Sequence, residues 1–268
     1  MSSTSVAEAR DTRDHRIPFS LMRDTFAVTQ RNLIAYRRVP QLLVFSTIQP
    51  VIFVIMFRYV FGGSISVPGG SYVNYLMPGI FVQTVVFGAI ATSIGLATDM
   101  KTGLMERFHS LPMARSAVLT GRTLADLSRN VFVVVLMMTV GFLVGWRPVG
   151  VLEVLAGAFL VLLFGYAMSW IFATVGLAVG DPETAQAAAF PVLAPLVFAS
   201  SAFVSVDRMP GWLQAFARHQ PVSVTASAVR AIVNGQPAGT LALQSIAWGV
   251  GILLVFAPIA VRLYRRAV

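Results

Sequence analysis

The sequence predicts an all-α integral membrane protein with six transmembrane helices and both termini in the cytoplasm. Three observations predict it. Of the 268 residues, 56% are hydrophobic and only 12% are charged, so the excess apolar surface has to face lipid. Apolar runs long enough to cross about 30 Å of hydrocarbon recur along the chain. The arginines cluster in the first forty residues, in the central loop and at the C-terminal end, next to those runs, with Arg58 late in the first span placed to reach the outer interface. This matches anchoring at an anionic membrane face.

The expected spans are Gln41–Phe61, Tyr75–Ala97, Leu124–Gly145, Leu152–Val179, Ala187–Val204 and Leu241–Val261. The fifth contains Pro191 and Pro195, and a kink is expected there because membrane helices tolerate proline at the cost of straightness. Orientation follows from basic residues flanking the spans. Arg31, Arg37 and Arg38 precede the first span. Lys101, Arg107, Arg115 and Arg122 lie in the loop between the second and third, and Arg262, Arg265 and Arg266 follow the sixth. The loop Gly62–Asn74 carries no charge, and Arg147 stands alone before Glu153. The acidic connection Asp181-Pro-Glu-Thr falls on the cytoplasmic side, where acidic residues count little in the rule.

Residues 1–40 form a cytoplasmic arm, and residues 41–268 form the transmembrane domain. The arm has no apolar centre, so it is not a cleavable signal peptide. Within it, Ser20–Val39 has helical periodicity. Met22, Phe26, Thr29 and Leu33 share one face, while Arg23, Gln30, Arg31 and Arg38 lie elsewhere. Such a helix can lie in the interface plane, either as an anchor or as a contact for a cytosolic partner. Pro40 separates it from the first span. The loop Asp99–Asp126 is the long, charged, helix-like interruption between apolar runs, and it gives the protein something on its cytoplasmic side to push against. Ser205–Pro237 is longer and more polar than an ordinary connection. Met209-Pro210-Gly211-Trp212 signals a turn, Trp212, Leu213, Phe216 and Ala217 give a short helix an apolar side, and a second short helix is expected over Val222–Val233. This pair either caps the outer face or dips into the bilayer and returns.

Several chemistries are excluded. The chain has no cysteine, which rules out disulfides and thiolate chemistry, and His15, His109 and His219 stand apart without ligand spacing, so no metal site is expected. No basic stripe interleaves with aromatics, so nucleic acid is not an expected partner. Gly95–Thr102 approaches a phosphate loop but has Met100 where the second glycine belongs, so no nucleotide site is expected in this chain. The spans lack the acidic relay of an ion-coupled transporter. Asp126, with Arg122 and Arg129 on the same helix face, reads as a self-neutralising group at the inner end of the third span. The deep polar residues are uncharged: Gln49, Gln83, Thr84 and Ser169. Each either bonds a neighbouring helix or lines a substrate path. Gly141–Gly145 and Gly176–Gly180 permit close helix approach.

Three segments carry a family resemblance: Met105–Arg115 with Gly121–Asp126, Asp181–Gln186, and Met209–Gln214 through His219–Val222. With them, almost the whole chain after Phe19 resembles the type-2 exporter permeases of the ATP-binding cassette (ABC) superfamily, especially the daunorubicin-resistance (DrrB-like) branch. The resemblance implies an N-terminal amphipathic interface helix, a cytoplasmic coupling helix and short external re-entrant helices between spans five and six. The coupling helix would lie around Glu106–Leu111, with Lys101, Leu104, Glu106, Arg107, Phe108, Leu111 and Pro112 facing the ATPase and Leu111-Pro112 ending it. Arg23, Phe26 and Arg31 would serve the interface helix. A path between two permeases would pass Gln49, Phe53, Gln83, Thr84, Phe87 and Phe198.

The implied partners are two copies of a cytosolic P-loop ATPase, a second permease copy or a sister permease, and membrane lipids, in a bacterial cytoplasmic membrane. ATP and Mg²⁺ would sit on the ATPase, and this chain would bind no cofactor. The implied function is ATP-driven export of hydrophobic or amphiphilic compounds, with drugs, antibiotics and lipids as the cargo classes. Export of polysaccharide or lipid-linked glycan is the nearest alternative. A channel or scaffold without ATPase coupling, and a membrane-embedded enzyme, are the readings from other classes.

Overall fold

The computed structural model describes residues 25–26, 29–30, 34, 40–63, 71–104 and 115–267. Among them the regular structure is helical throughout. Four stretches are long and apolar enough to cross a membrane: Tyr72–Lys101, Leu119–Leu143, Val151–Val179 and Gly239–Arg266. Thr47–Phe61 and Pro221–Val233 are shorter apolar helices.

The helices are α1 (Pro40–Ile55), which continues as the π-helix Met56–Phe61, α2 (Tyr72–Gly88), α3 (Ile90–Lys101), α4 (Arg115–Leu143), α5 (Val151–Val179), α6 (Pro182–Phe198), α7 (Gly211–His219), α8 (Pro221–Val233) and α9 (Gly239–Ala267). The expected spans fall on helices, but several boundaries differ for local reasons. Pro40 opens α1 instead of separating it from the arm, as suits a residue whose missing N–H costs nothing in a first turn. The expected second span is two helices meeting at Ala89. The third begins at Arg115, so Arg115 and Arg122 belong to a helix and not to the loop. The fifth runs Pro182–Phe198 instead of Ala187–Val204. Asp181 caps it by accepting the Thr184 N–H at 3.0 Å, with Pro182 in the first turn. The acidic connection is thus a helix start, and the helix passes through Pro191 and Pro195.

The core sits around α5. This helix is apolar on every side, as a helix surrounded by lipid and other helices must be, and it packs against α2, α3, α4, α6, α8 and α9. Trp146, just past the end of α4, is fully buried and meets the Phe81 ring edge-on at 5.2 Å. The outer helices α7 and α8 lie where two short helices are expected, and Pro221 starts α8 rather than merely ending α7. Gln220 joins α8 to the rest of the bundle. Its Oε1 accepts the Val222 N–H, and its Nε2 donates to the Leu196 carbonyl at 2.8 Å.

Two glycines set how closely the helices approach. A Cβ on Gly79 would collide with the Ala202 carbonyl oxygen, and one on Gly176 would collide with the Ser93 carbonyl oxygen of α3. In both cases the obstacle is backbone, which cannot rotate away. Gly79→Ala and Gly176→Ala should each cost about 1–3 kcal/mol by overpacking, read as a lowered melting temperature in detergent. Gly251→Ala, where nothing lies within 4 Å of the added carbon, should leave melting unchanged.

Candidate functional site

The break at Ala89 organises the site. Ala89 sends its own N–H to both the Val85 and Val86 carbonyls, and Thr92 turns its N–H to the Ala89 carbonyl at 3.0 Å. The regular helical partner of Thr92 N–H would be the Gly88 carbonyl. That carbonyl instead accepts from the Arg129 guanidinium at 2.6 Å. A locally tightened turn thus leaves a backbone acceptor deep in the bundle for a buried cation from α4. Arg129 also donates to Asn130 Oδ1 at 3.2 Å.

Beside this junction lies a cavity of about 160 Å³. Gln49 and Pro50 of α1, Gln83, Thr84 and Phe87 of α2, and Arg129, Asn130 and Val133 of α4 line it, along with the chain around the break. It therefore gathers four of the expected path residues, Gln49, Gln83, Thr84 and Phe87. Thr84 is spent on its own helix, donating to the Ile80 carbonyl at 2.7 Å, whereas Gln83 is 2% exposed and its Oε1 has no hydrogen-bond partner. Phe53 and Phe198 lie elsewhere, in an aromatic cluster. Phe53 meets Phe203 at 5.8 Å and Phe198 at 6.4 Å, and Phe57 stacks on Phe203 at 4.6 Å. Ser169 bonds back to the Gly165 carbonyl at 3.0 Å, away from the cavity lining.

One turn toward the expected cytoplasmic side is a charged clasp. Asp126, fully buried, accepts a hydrogen bond from Thr92 Oγ1 at 2.6 Å, with Arg122 Nε at 3.9 Å. Arg122 also reaches Asp99 at 3.5 Å. The expected pairing of Arg122 with Asp126 lies within α4, and it is Thr92 on Asp126 and Asp99 on Arg122 that tie α3 to α4. Beyond it, Lys101 Nζ pairs with Asp181 at 2.8 Å and joins the end of α3 to the cap of α6. The Lys101 ammonium and the Thr184 donors hold the Asp181 carboxyl down at about 2, so the pair is lost only as pH falls through that value. Gly95 and Lys101 lie on α3, so the near-match to a phosphate loop is helix and not loop.

The residues expected to couple to an ATPase, Glu106, Arg107, Phe108, Leu111 and Pro112, lie outside the described residues, as do Arg23 and Arg31. Leu104 is half-buried, and Phe26 is exposed and helical. Thr29, also helical, donates to the Gly121 carbonyl at 3.1 Å, which sets that part of the arm against the start of α4. Among the described residues no cluster of His, Cys, Asp and Glu suits a metal ion.

Two functional-looking side chains were not singled out from sequence. Asn130 follows Arg129 in the first third of the expected span Leu124–Gly145, and a polar pair inside an apolar run was the available signal. Arg230 of α8 has its guanidinium carbon 3.6 Å from the centre of the Tyr75 ring. It donates to the Tyr75 carbonyl at 3.0 Å and the Ser201 carbonyl at 2.7 Å. It thereby pins α8 to α2 and to the segment after α6. Nothing in the local pattern of α8 distinguishes it from a surface arginine.

Comparison with known proteins gives a consistent family. The model of the ABC-2 type transporter family matches residues 23–234. The daunorubicin resistance ABC transporter permease protein DrrB1 of Streptomyces coeruleorubidus is 36% identical over 237 residues, covering 88% of this chain and 84% of that protein. A probable doxorubicin resistance ABC transporter permease protein, DrrC, of Mycobacterium tuberculosis is 28% identical over 246 residues, 91% of this chain and 88% of its own length. A putative transport permease, ycf38, of Cyanophora paradoxa is 24% identical over 216 residues, 79% of this chain and 74% of its own.

The two charged contacts should differ sharply in weight. Asp126→Ala leaves the buried Thr92 hydroxyl without its acceptor, while Arg122 keeps Asp99, and should cost about 1–3 kcal/mol. Lys101→Ala removes an exposed pair and should leave melting in detergent unchanged within error.

Proposed function

The chain belongs to the ABC-2 type transporter family, and on that premise we propose that it is the transmembrane permease subunit of an ATP-driven exporter of hydrophobic or amphiphilic compounds. The observation that carries the reading is the family match over residues 23–234, on a chain whose long helices are apolar enough to cross a membrane. The drug-resistance names of its relatives support drug-like, antibiotic or lipid cargo. Hydrolysis belongs to a separate cytosolic ATPase, which would carry ATP and Mg²⁺. Two ATPase copies would work beneath two permeases, either identical or sister chains.

In this reading α1, the pair α2–α3, α4, α5, α6 and α9 are six spans with both termini inside. The arm around Arg23, Phe26 and Arg31 is the interface helix, and α7 and α8 form the re-entrant pair at the outer face. The segment around Glu106–Leu111 is the coupling helix, with Lys101, Leu104, Arg107 and Phe108 around the contact and Pro112 at its end. ATP-driven closure of the motors would push this segment. The Arg122–Asp126–Thr92 clasp supports transmission, because it makes the inner ends of α3 and α4 move together. Gln49, Phe53, Gln83, Thr84, Phe87 and Phe198 would lie along the path. Rows of exposed aromatics would favour a glycan. Phe53, Phe57 and Phe198 cluster around Phe203, while Tyr59, Phe61, Phe159 and Trp248 are exposed. The preference for amphiphilic cargo therefore rests on the relatives' names and not on the aromatics.

Gentle purification from native membranes followed by mass spectrometry tests the assembly. A stoichiometric P-loop ATPase is the expected companion, and reproducible isolation without one, by crosslinking as well, would return the chain to the channel reading. Glu106→Arg should lower transport by more than about tenfold while insertion and yield stay normal. Full-rate transport by that variant would remove the coupling assignment.

A further inference from the structure

We propose that the cavity beside Arg129 is a pocket within a single chain for the acceptor-rich polar end of an amphiphile, a carboxylate, phosphate or hydroxyl group on an apolar body, and that it disfavours an ammonium. The choice of cargo as occupant rests on the exporter reading, but the binding chemistry stands on the cavity itself.

Size comes first. About 160 Å³ is close to the volume of an engineered cavity that takes up benzene. The pocket therefore holds one ring or one head group with a few carbons and leaves the rest of a larger molecule outside. Sign comes next. The lining includes the guanidinium of Arg129 and no aspartate, glutamate or histidine. The nearby carboxylate, Asp126, is outside the lining and committed to Thr92 and Arg122. A guanidinium in a poorly hydrated site favours an acceptor or an anion and repels a second cation.

The neutral groups complete the preference. Gln83 Oε1 is buried on the wall without a partner, and an acceptor so placed favours a ligand that brings a hydroxyl or N–H to it. An ammonium could satisfy Gln83 but only beside the Arg129 charge. A hydroxyl satisfies Gln83 with no such conflict, and its oxygen also suits Arg129. Phe87, Ile90, Pro50 and Val133 supply the apolar remainder of the wall.

The test uses the full chain, with any ATPase that accompanies it, in phosphatidylcholine nanodiscs without ATP. The probes are para-fluorophenylbutyrate, para-fluorophenylbutanol and para-fluorophenylbutylamine, titrated by fluorine NMR. The butyrate and the alcohol should bind saturably, and the amine at least about tenfold more weakly than the butyrate. Arg129→Gln should erase the advantage of the butyrate, and Arg129→Lys should keep most of it. Gln83→Leu should weaken the alcohol. Ala91→Leu, which fills the cavity, should abolish saturable binding of all three and serves if the Arg129 variants do not fold. Equal or tighter binding of the amine overturns the proposal, and so does binding that none of these variants alters. Replacing part of the phosphatidylcholine with phosphatidylglycerol separates the sources. Displacement of the probe identifies a lipid head group as occupant, and persistence identifies exported cargo. Failure of binding leaves the ATPase partnership untouched, while absence of an ATPase leaves the binding result standing.

Discussion

Hydrocarbon offers no water to a peptide group, and the rest of this structure follows from that constraint. Every backbone N–H and C=O within the bilayer needs a partner inside the protein, so the chain between its loops is helical. The same rule governs the polar side chains. Thr84, Ser169 and Thr139 each turn back to a carbonyl of their own helix, at Ile80, Gly165 and Val135. Some polar side chains instead reach across to another helix, as Thr225 does to Ser245, and one group of them lies where a helix is interrupted. At Ala89 the ladder slips, the Gly88 carbonyl goes to Arg129, and a cavity opens beside the junction. A small defect in one hydrogen-bond series thereby fixes where a buried cation can sit.

Charge placement elsewhere follows the same economy. The C-terminal part of α3 and the N-terminal part of α4 are joined by Asp126, Thr92, Asp99 and Arg122, and the end of α3 is joined to α6 by Lys101 and Asp181. Elsewhere, Arg230 ties α8 to two backbone carbonyls and an aromatic face. Between these levels contact is mostly apolar, with close approaches permitted by Gly79 and Gly176. Among the described residues few hydrogen bonds cross between helices at that depth, with Arg129 to the Gly88 carbonyl and Thr225 to Ser245 among them.

Much of this was legible in the sequence. Hydropathy located the helices, because lipid exposure leaves a signal about 20 residues long that local detail cannot hide. The two outer helices were visible from Trp212, Phe216 and Pro221. Gln49 from the first span and Gln83, Thr84 and Phe87 from the second line one cavity. The ends of elements were harder to see. Asp181-Pro-Glu-Thr looked like a connection because its charges were counted for topology, when its chemistry is that of a helix cap. The break at Ala89 has no sequence mark, since alanine is the best of helix formers, and packing around Arg129 accompanies it. The role of Arg230 depends on a partner 155 residues away, which no local pattern encodes, whereas Asn130 pairs with its neighbour Arg129, and that adjacency was there to be read.

Lys101 is the only lysine in the chain, and its side chain is 60% exposed. It stands at the inner end of α3, where the charged loop departs. To any reagent or enzyme that seeks a primary amine on a side chain, the molecule therefore offers a single address. Acylation there would cancel the charge that pairs with Asp181 and place a label at the end of α3, while the packing of α3 on α6 stays in place.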